Sequence, residues 1–138
     1  LQTNKVKYAI PLFDYIHSLD SSKLAKKISQ EQEKKNFRPK IFIQVNIGNE
    51  AHKNGIDLES LTDFVKNCIE NLNLDIIGLM CIPPANENPK IYFAKMLELI
   101  KKTQLKELSM GMSKDYLDAI NFNSTFIRVG SKIFGQRS

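Results

Sequence analysis

Apolar runs of strand length alternate with segments of helical periodicity along the whole chain. The predicted strands are short and rich in Ile, Val, Phe or Met, and they cover Tyr15 to Leu19, Ile41 to Ile47, Ile76 to Ile82, Leu108 to Met112 and Thr125 to Val129. This alternation is typical of β-α units built around a parallel sheet. The pattern therefore predicts an α/β fold with five strands.

Four of the five predicted helices begin at a residue whose side chain can cap the first turn. These residues are Asn4, Asp20 or Ser21, Asn88 and Ser113. The remaining helix is predicted from an apolar stripe that runs from Leu58 to Leu72. Pro89 fits the first turn of its helix, whereas Pro11 is expected to bend or end the helix that follows Asn4.

The alternation fits two architectures, an open doubly wound sheet and most of a closed eight-stranded barrel. An open nucleotide-binding sheet would be expected to carry a glycine-rich first turn, and none of the six glycines lies in a GxGxxG or GxxxxGK arrangement. The barrel is therefore favoured. Because such barrels usually contain about 250 residues, we expect residues 1–138 to form a single partial domain that lacks the N-terminal strands. The chain opens on Leu1 and not on methionine, which indicates that sequence is missing upstream.

Composition narrows the class of protein. A chain of 138 residues with 42% hydrophobic and 25% charged residues is expected to form one soluble globular domain. It has no long apolar run and no apolar leader, so we expect a cytoplasmic protein without a membrane partner. The net charge of +5 could attract nucleic acid. The lysines are interspersed with acids and no aromatic residues alternate with them, so nucleic acid is not an expected partner.

The ends of the last two predicted strands carry the residues best suited to bind an anion. Phosphate groups in barrels of this kind are commonly held at the last two strand ends. Ser113 and Ser131 offer hydroxyl groups, Gly130 lets the backbone approach closely, and Arg128 offers a guanidinium. The alternative is that Ser113 is only a helix cap and that Arg128 points outwards to pair with an acid such as Asp118.

Other polar and sulfur-containing residues have a plainer interpretation. His17 and Asp20 could form an acid–base pair at the first strand, although a histidine satisfied by backbone is favoured. Asn46, at the end of the second predicted strand, could reach a ligand. Cys68 and Cys81 lie in apolar segments without a CxxC pair, so we expect packing residues and neither a disulfide nor a metal site. Three methionines are expected to fill the barrel interior, namely Met80, Met110 and Met112.

Several motifs in order resemble a known family. The segment from Leu108 to Arg137, LSMGMSKDYLDAINFNSTFIRVGSKIFGQR, is similar to the C-terminal signature of the pyridoxal phosphate homeostasis proteins, also known as the YggS family. The upstream landmarks are Leu1 to Lys5, Ile16 to Asp20, Phe42 to Asn46 and Gly78 to Pro84. The resemblance covers essentially the whole chain, and several independent motifs are more specific than one short pattern.

The resemblance implies a (β/α)8 TIM barrel of the alanine racemase N-terminal type, here incomplete with about five strands. It implies binding of pyridoxal 5′-phosphate in vitamin B6 and amino-acid homeostasis, without a demonstrated turnover reaction, by a protein that is a monomer when complete. Ser113, Gly130 and Ser131 would hold the phosphate, and Arg128 would face the pyridine nitrogen. The family's Schiff-base lysine is expected upstream of residue 1, so no catalytic residue is assigned.

Two alternatives remain open from the sequence. One is a racemase-type pyridoxal enzyme, which would need a base on the opposite face of the cofactor. The other is a non-functional remnant of a split or decayed gene, because five of eight strands leave open sheet edges.

Overall fold

The computed structural model describes residue 5 and residues 15–51, 54–112 and 126–128, with the backbone alone for residues 111, 112 and 126–128. The strands within these ranges are β1 (Tyr15–Leu19), β2 (Lys40–Gln44), β3 (Asp75–Met80), β4 (Glu107–Met112) and β5 (Phe126–Arg128). The α-helices are α1 (Ser22–Lys35), α2 (Leu61–Glu70), which follows a 3-10 turn at Leu58–Ser60, and α3 (Pro89–Thr103). All five predicted strands and the three predicted helices within the described ranges are confirmed.

Two further predictions about the elements have different outcomes. The helices predicted after Asn4 and Ser113 lie outside the described residues. The second strand ends at Gln44, before the predicted Ile47. The amide of Val45 still donates to the carbonyl oxygen of Met80 on β3 at 2.8 Å, but from here the backbone also bonds to its own loop. The amide of Ile56 donates to the carbonyl oxygen of Gln44 at 2.8 Å, and the amide of Asn46 donates to the carbonyl oxygen of Ile56 at 3.0 Å.

The order of the strands decides between the two architectures that the sequence left open. The sheet has the order β1-β2-β3-β4-β5, and each neighbouring pair is parallel. A doubly wound sheet must reverse its strand order at a switch point, and the five described strands show no reversal. Sequential parallel strands are the arrangement from which a (β/α) barrel is built.

The two faces of the sheet differ in what covers them. One face packs against all three helices in a single apolar cluster that contains Ile41 and Ile43 from β2, Leu108 and Met110 from β4, and Phe93 from α3. Because side chains alternate across a strand, the residues between these cluster members point to the opposite, concave face. We call that surface, formed by His17, Phe42, Gly78, Met80 and Ser109, the inner face.

The alternation of side chains along the strands also shows on which side of the sheet the methionines lie. Met80 is buried and lies on the inner face, as predicted. Met110 is fully buried within the cluster between sheet and helices, so the prediction that it fills the barrel interior is wrong. Ser109, its neighbour on β4, takes the inward position. The side chain of Met112 lies outside the described residues.

Local hydrogen bonds explain where the helices begin and end. Of the two predicted caps for α1, Ser21 is the one used, and its Oγ accepts from the amide of Leu24 at 3.1 Å. The Oδ1 of Asn88 accepts from the amide of Lys90 at 3.1 Å, which confirms the predicted cap of α3. Helix α1 ends at Asn36 in the left-handed conformation, with φ 52°, which asparagine tolerates better than most residues. No helix in the described ranges combines the length and apolarity required to cross a bilayer.

Both cysteines are buried free thiols, as the sequence predicted. Cys68 lies on the buried side of α2 and is fully shielded from solvent. Burial raises the pKa of the Cys68 thiol to about 12, because the thiolate would lose its hydration. The thiol is therefore a packing group that stays protonated at neutral pH.

Protonation of Cys68 is expected to make stability fall at alkaline pH. The unfolded chain releases this proton near pH 9 and the folded chain releases it near pH 12, so the stabilisation is complete below pH 9 and is lost as the pH rises towards 12. Between these values the free energy of unfolding should fall by about 1 kcal/mol per pH unit from this group. Urea denaturation at pH 8, 9 and 10 should show a shallower decline for Cys68→Ala than for the unaltered chain. Equal declines would contradict the buried-thiol interpretation.

Candidate functional site

The carboxyl ends of the strands form the edge at which a parallel barrel binds ligands. After β2, Asn46 braces the loop that follows: its Nδ2 donates to the carbonyl oxygen of Glu50 at 2.8 Å, and its Oδ1 accepts from the amide of Glu50 at 3.1 Å. The side chain is also buried. The structure therefore uses the amide group of Asn46 to hold its own loop. Asn46 also lines the cleft at this edge, and its contact with a ligand stays a prediction.

The loops after β2 and β3 pack closely against each other. A Cβ placed on Gly48 would lie 2.6 Å from Cγ of Pro84, so the absence of a side chain at residue 48 allows the contact. Next to it lies a cleft of about 240 Å³, lined by residues that include Gln44, Glu50 and Ile82. A larger cleft of about 390 Å³ lies at the amino-terminal ends of the strands, beside Tyr15. The smaller cleft is the relevant one because it lies at the ligand-binding edge.

A tyrosine near the same edge acts as a hydrogen-bond donor. The hydroxyl of Tyr92 donates to Oε1 of Glu87 at 2.6 Å. This bond, with some burial and the negative charges of Glu87 and Glu50, raises the pKa of Tyr92 above its ordinary value. The phenol therefore stays protonated and is not a candidate base.

The inner face carries a polar pair that crosses the sheet. Nδ1 of His17 on β1 lies 2.7 Å from Oγ of Ser109 on β4. The imidazole also stacks on the ring of Phe42, with centroids 4.5 Å apart and planes inclined by 19°. The sequence favours a histidine satisfied by backbone and indicates no role for Ser109. The sequence feature that could have indicated this position is the single hydroxyl of Ser109 between two apolar residues, Leu108 and Met110.

The ends of β4 and β5, the last two strands among the described residues, lie side by side. Met112, the last residue of β4, is paired with Arg128, the last residue of β5. Ser113 follows Met112 directly in the sequence, and Gly130 and Ser131 follow Arg128 by two and three residues. Ser113, Gly130, Ser131 and the side chain of Arg128 lie outside the described residues. The structure thus brings together the backbone positions that lead into all four predicted ligands.

Metal chemistry gains no support from the described part of the chain. There, no three His, Cys, Asp or Glu side chains come close enough together to hold a metal ion.

Comparison with known proteins identifies the class that this fold and strand-end arrangement define. The profile of the family described as "Alanine racemase, N-terminal domain" matches residues 2–138. The chain belongs to this family. Its relatives there include the pyridoxal phosphate homeostasis proteins of Aquifex aeolicus, 41% identical over 146 residues, and of Haemophilus influenzae, 36% identical over 149 residues. The resemblance found in the sequence is confirmed.

A solved relative shows the same fold. PipY of Synechococcus elongatus, whose structure was determined with PLP bound, is 33% identical, with a TM-score of 0.84 over 98% of this chain and 67% of that chain. The chain spans 64% and 62% of the lengths of the Aquifex and Haemophilus relatives, while 99% and 100% of it is matched.

Proposed function

We propose that this chain binds pyridoxal 5′-phosphate through its phosphate group, as part of a protein of vitamin B6 and amino-acid homeostasis. The observation that carries the proposal is the pairing of Met112 with Arg128 at the ends of β4 and β5. These are the last two strands in the described part of the chain, and the last two strand ends commonly hold phosphate in this fold. Both lead directly into serine and glycine residues suited to an anion.

The proposed roles follow from the chemistry of each residue. The hydroxyls of Ser113 and Ser131 would donate to phosphate oxygens, and Gly130 would admit the phosphate close to backbone amides. Arg128 would face the pyridine nitrogen. When bound, the cofactor supplies an electron-withdrawing ring, but the permanent charge of Arg128 disfavours protonation of that ring nitrogen. Such a site favours holding the cofactor over strong carbanion chemistry.

The relatives support this proposal through their names and through the PLP-bound PipY structure. No residue in this chain is proposed as a covalent anchor, because none of its lysines matches the Schiff-base lysine that the family resemblance implies. We propose further that residues 1–138 act within one barrel domain of a monomeric, cytoplasmic protein. The interspersed lysines and acids support a small-molecule partner over nucleic acid.

Titration of the purified 138-residue chain with pyridoxal 5′-phosphate tests the proposal. We expect saturable binding that inorganic phosphate competes away, and at least about tenfold weaker binding of pyridoxal, because charge-assisted hydrogen bonds to the phosphate are lost. The variants Ser113→Ala and Arg128→Gln should each raise the Kd about tenfold. Their matched controls are Ser22→Ala on the exposed start of α1 and Arg38→Gln, whose guanidinium bonds to Asn73 near the amino-terminal ends of β2 and β3, on the opposite edge of the sheet.

Two results would contradict the proposal. Equal affinities for pyridoxal and its phosphate ester would show that the phosphate group does not contribute to binding. A lysine-linked adduct within these 138 residues, found by mass spectrometry after borohydride reduction, would show that a covalent anchor had been missed.

A further inference from the structure

The His17–Ser109 pair joins strands that are not neighbours. In the sheet, β1 and β4 are separated by β2 and β3. In a flat sheet three strand spacings of about 4.8 Å would hold them about 14 Å apart. The 2.7 Å contact between the imidazole nitrogen and the hydroxyl oxygen exists because the sheet curves and the histidine reaches across the concave side. The pair forms a hydrogen bond that spans the inner face.

The imidazole of His17 packs against the inner face. Its ring lies on Phe42, which is fully buried. The ring of Phe42 in turn lies against Gly78, where a Cβ would come within 2.8 Å of Cε2. Ser109 is itself fully buried, so its hydroxyl makes the contact with His17 away from competing water.

Ser109 occupies a special position along β4. The pairing of β4 with β3 runs from Glu107 to Ser109, and the amide of Cys81 donates to the carbonyl oxygen of Ser109 at 3.2 Å. Beyond Ser109, the pairing described for β4 is with β5, at Met112 and Arg128. Ser109 is therefore the last residue of β4 for which a pairing with β3 is described. Ser113, the proposed phosphate ligand, lies four residues further on.

We infer that His17 is a positioning residue, which acts through Ser109 to set the end of β4 and with it the phosphate-binding part of the site. The inference rests on the proposed function. In this role His17 does not contact the cofactor and transfers no proton in a reaction. The hydrogen bond can form with either neutral tautomer of His17, because the ring nitrogen can donate to the Ser109 hydroxyl or accept from it.

The test compares three substitutions in the full 138-residue chain. His17→Phe keeps an aromatic ring on Phe42 and removes the nitrogen, Ser109→Ala removes the hydroxyl, and the double variant removes both. Each single substitution should raise the Kd for pyridoxal 5′-phosphate about tenfold. The double variant should be no weaker than either single one, since both remove the same interaction. The affinity for pyridoxal should change less than threefold in all of them.

A substitution that should restore the lost affinity provides the matched control. His17→Asn places an amide near the position of Nδ1 and should restore most of the affinity that His17→Phe loses. If Ser109→Ala fails to fold, the comparison of His17→Phe with His17→Asn decides the question, and equal affinities of these two variants overturn the inference.

The remaining outcomes separate this inference from the proposed function. If the unaltered chain does not bind the phosphate ester, both are wrong. If it binds and His17→Phe binds equally well, the inference alone is wrong. A parallel loss of affinity for pyridoxal and for its phosphate ester would mean that His17 supports the whole site or touches the ring. Additive losses in the double variant would mean that His17 does not act through Ser109. Either result overturns the inference.

Discussion

Replacement of Phe42 by alanine is expected to be the most destabilising single truncation on the inner face. Phe42 is fully buried between its neighbours on β2, under the imidazole of His17 and against the backbone of Gly78. Its removal leaves a cavity that the backbone of a sheet cannot close. We expect the free energy of unfolding to fall by about 4 kcal/mol, measured by urea denaturation at neutral pH.

The chain offers a matched control for this truncation. Phe37 lies just before β2 and is 38% exposed. The same substitution there should cost about 1 to 2 kcal/mol, since more than a third of Phe37 stays in contact with water and its removal leaves no enclosed cavity. Similar losses for Phe42→Ala and Phe37→Ala would show that Phe42 does not fill the inner face.

Replacement of Gly78 by alanine should have the second largest effect, for the opposite reason. A Cβ at residue 78 would collide with the carbonyl oxygen of Glu107 on β4 and would lie 2.8 Å from the ring of Phe42. The oxygen belongs to the backbone and cannot turn aside, so β3 and β4 would have to separate at the point where they pair. We expect a loss of about 3 kcal/mol from overpacking, seen as a lower midpoint in thermal and urea denaturation.

The reverse substitution at a helix end is the control. Asn36 ends α1 in the left-handed region with φ 52°, where glycine is the residue of lowest strain. Asn36→Gly should therefore leave the stability nearly unchanged. A tolerated Gly78→Ala would contradict the close approach of β3 and β4 that the structure shows.

The sequence predicted the elements well because their signals are local. Period-two and period-3.6 spacing of apolar residues follows from the geometry of strands and helices. The caps at Ser21 and Asn88 are contacts within three residues. The errors arose where a residue's partner lies outside its own element. The chain after Gln44 bonds to Ile56, which ends β2 early.

For the candidate site, too, the local features were predicted and the contacts between distant residues were not. The alternation of elements predicted that Ser113 and Arg128 follow the last two strands, and motif resemblance supplied a cofactor for them. Local pattern did not predict that Asn46 is engaged by its own loop or that Ser109 faces inward. For Met110 it favoured the wrong side of the sheet, because an apolar side chain fits either face.

By itself, the sequence determined the type and order of the elements, the family, and the residues proposed to hold a phosphate, since each depends on neighbouring residues or on motifs read in order. Only the tertiary structure decided that the strands lie in sequential order and that Met112 is paired with Arg128. It alone showed the contact of His17 with Ser109, which are 92 positions apart. Such contacts depend on how the sheet curves, and the curvature arises from the packing of all its strands and helices together.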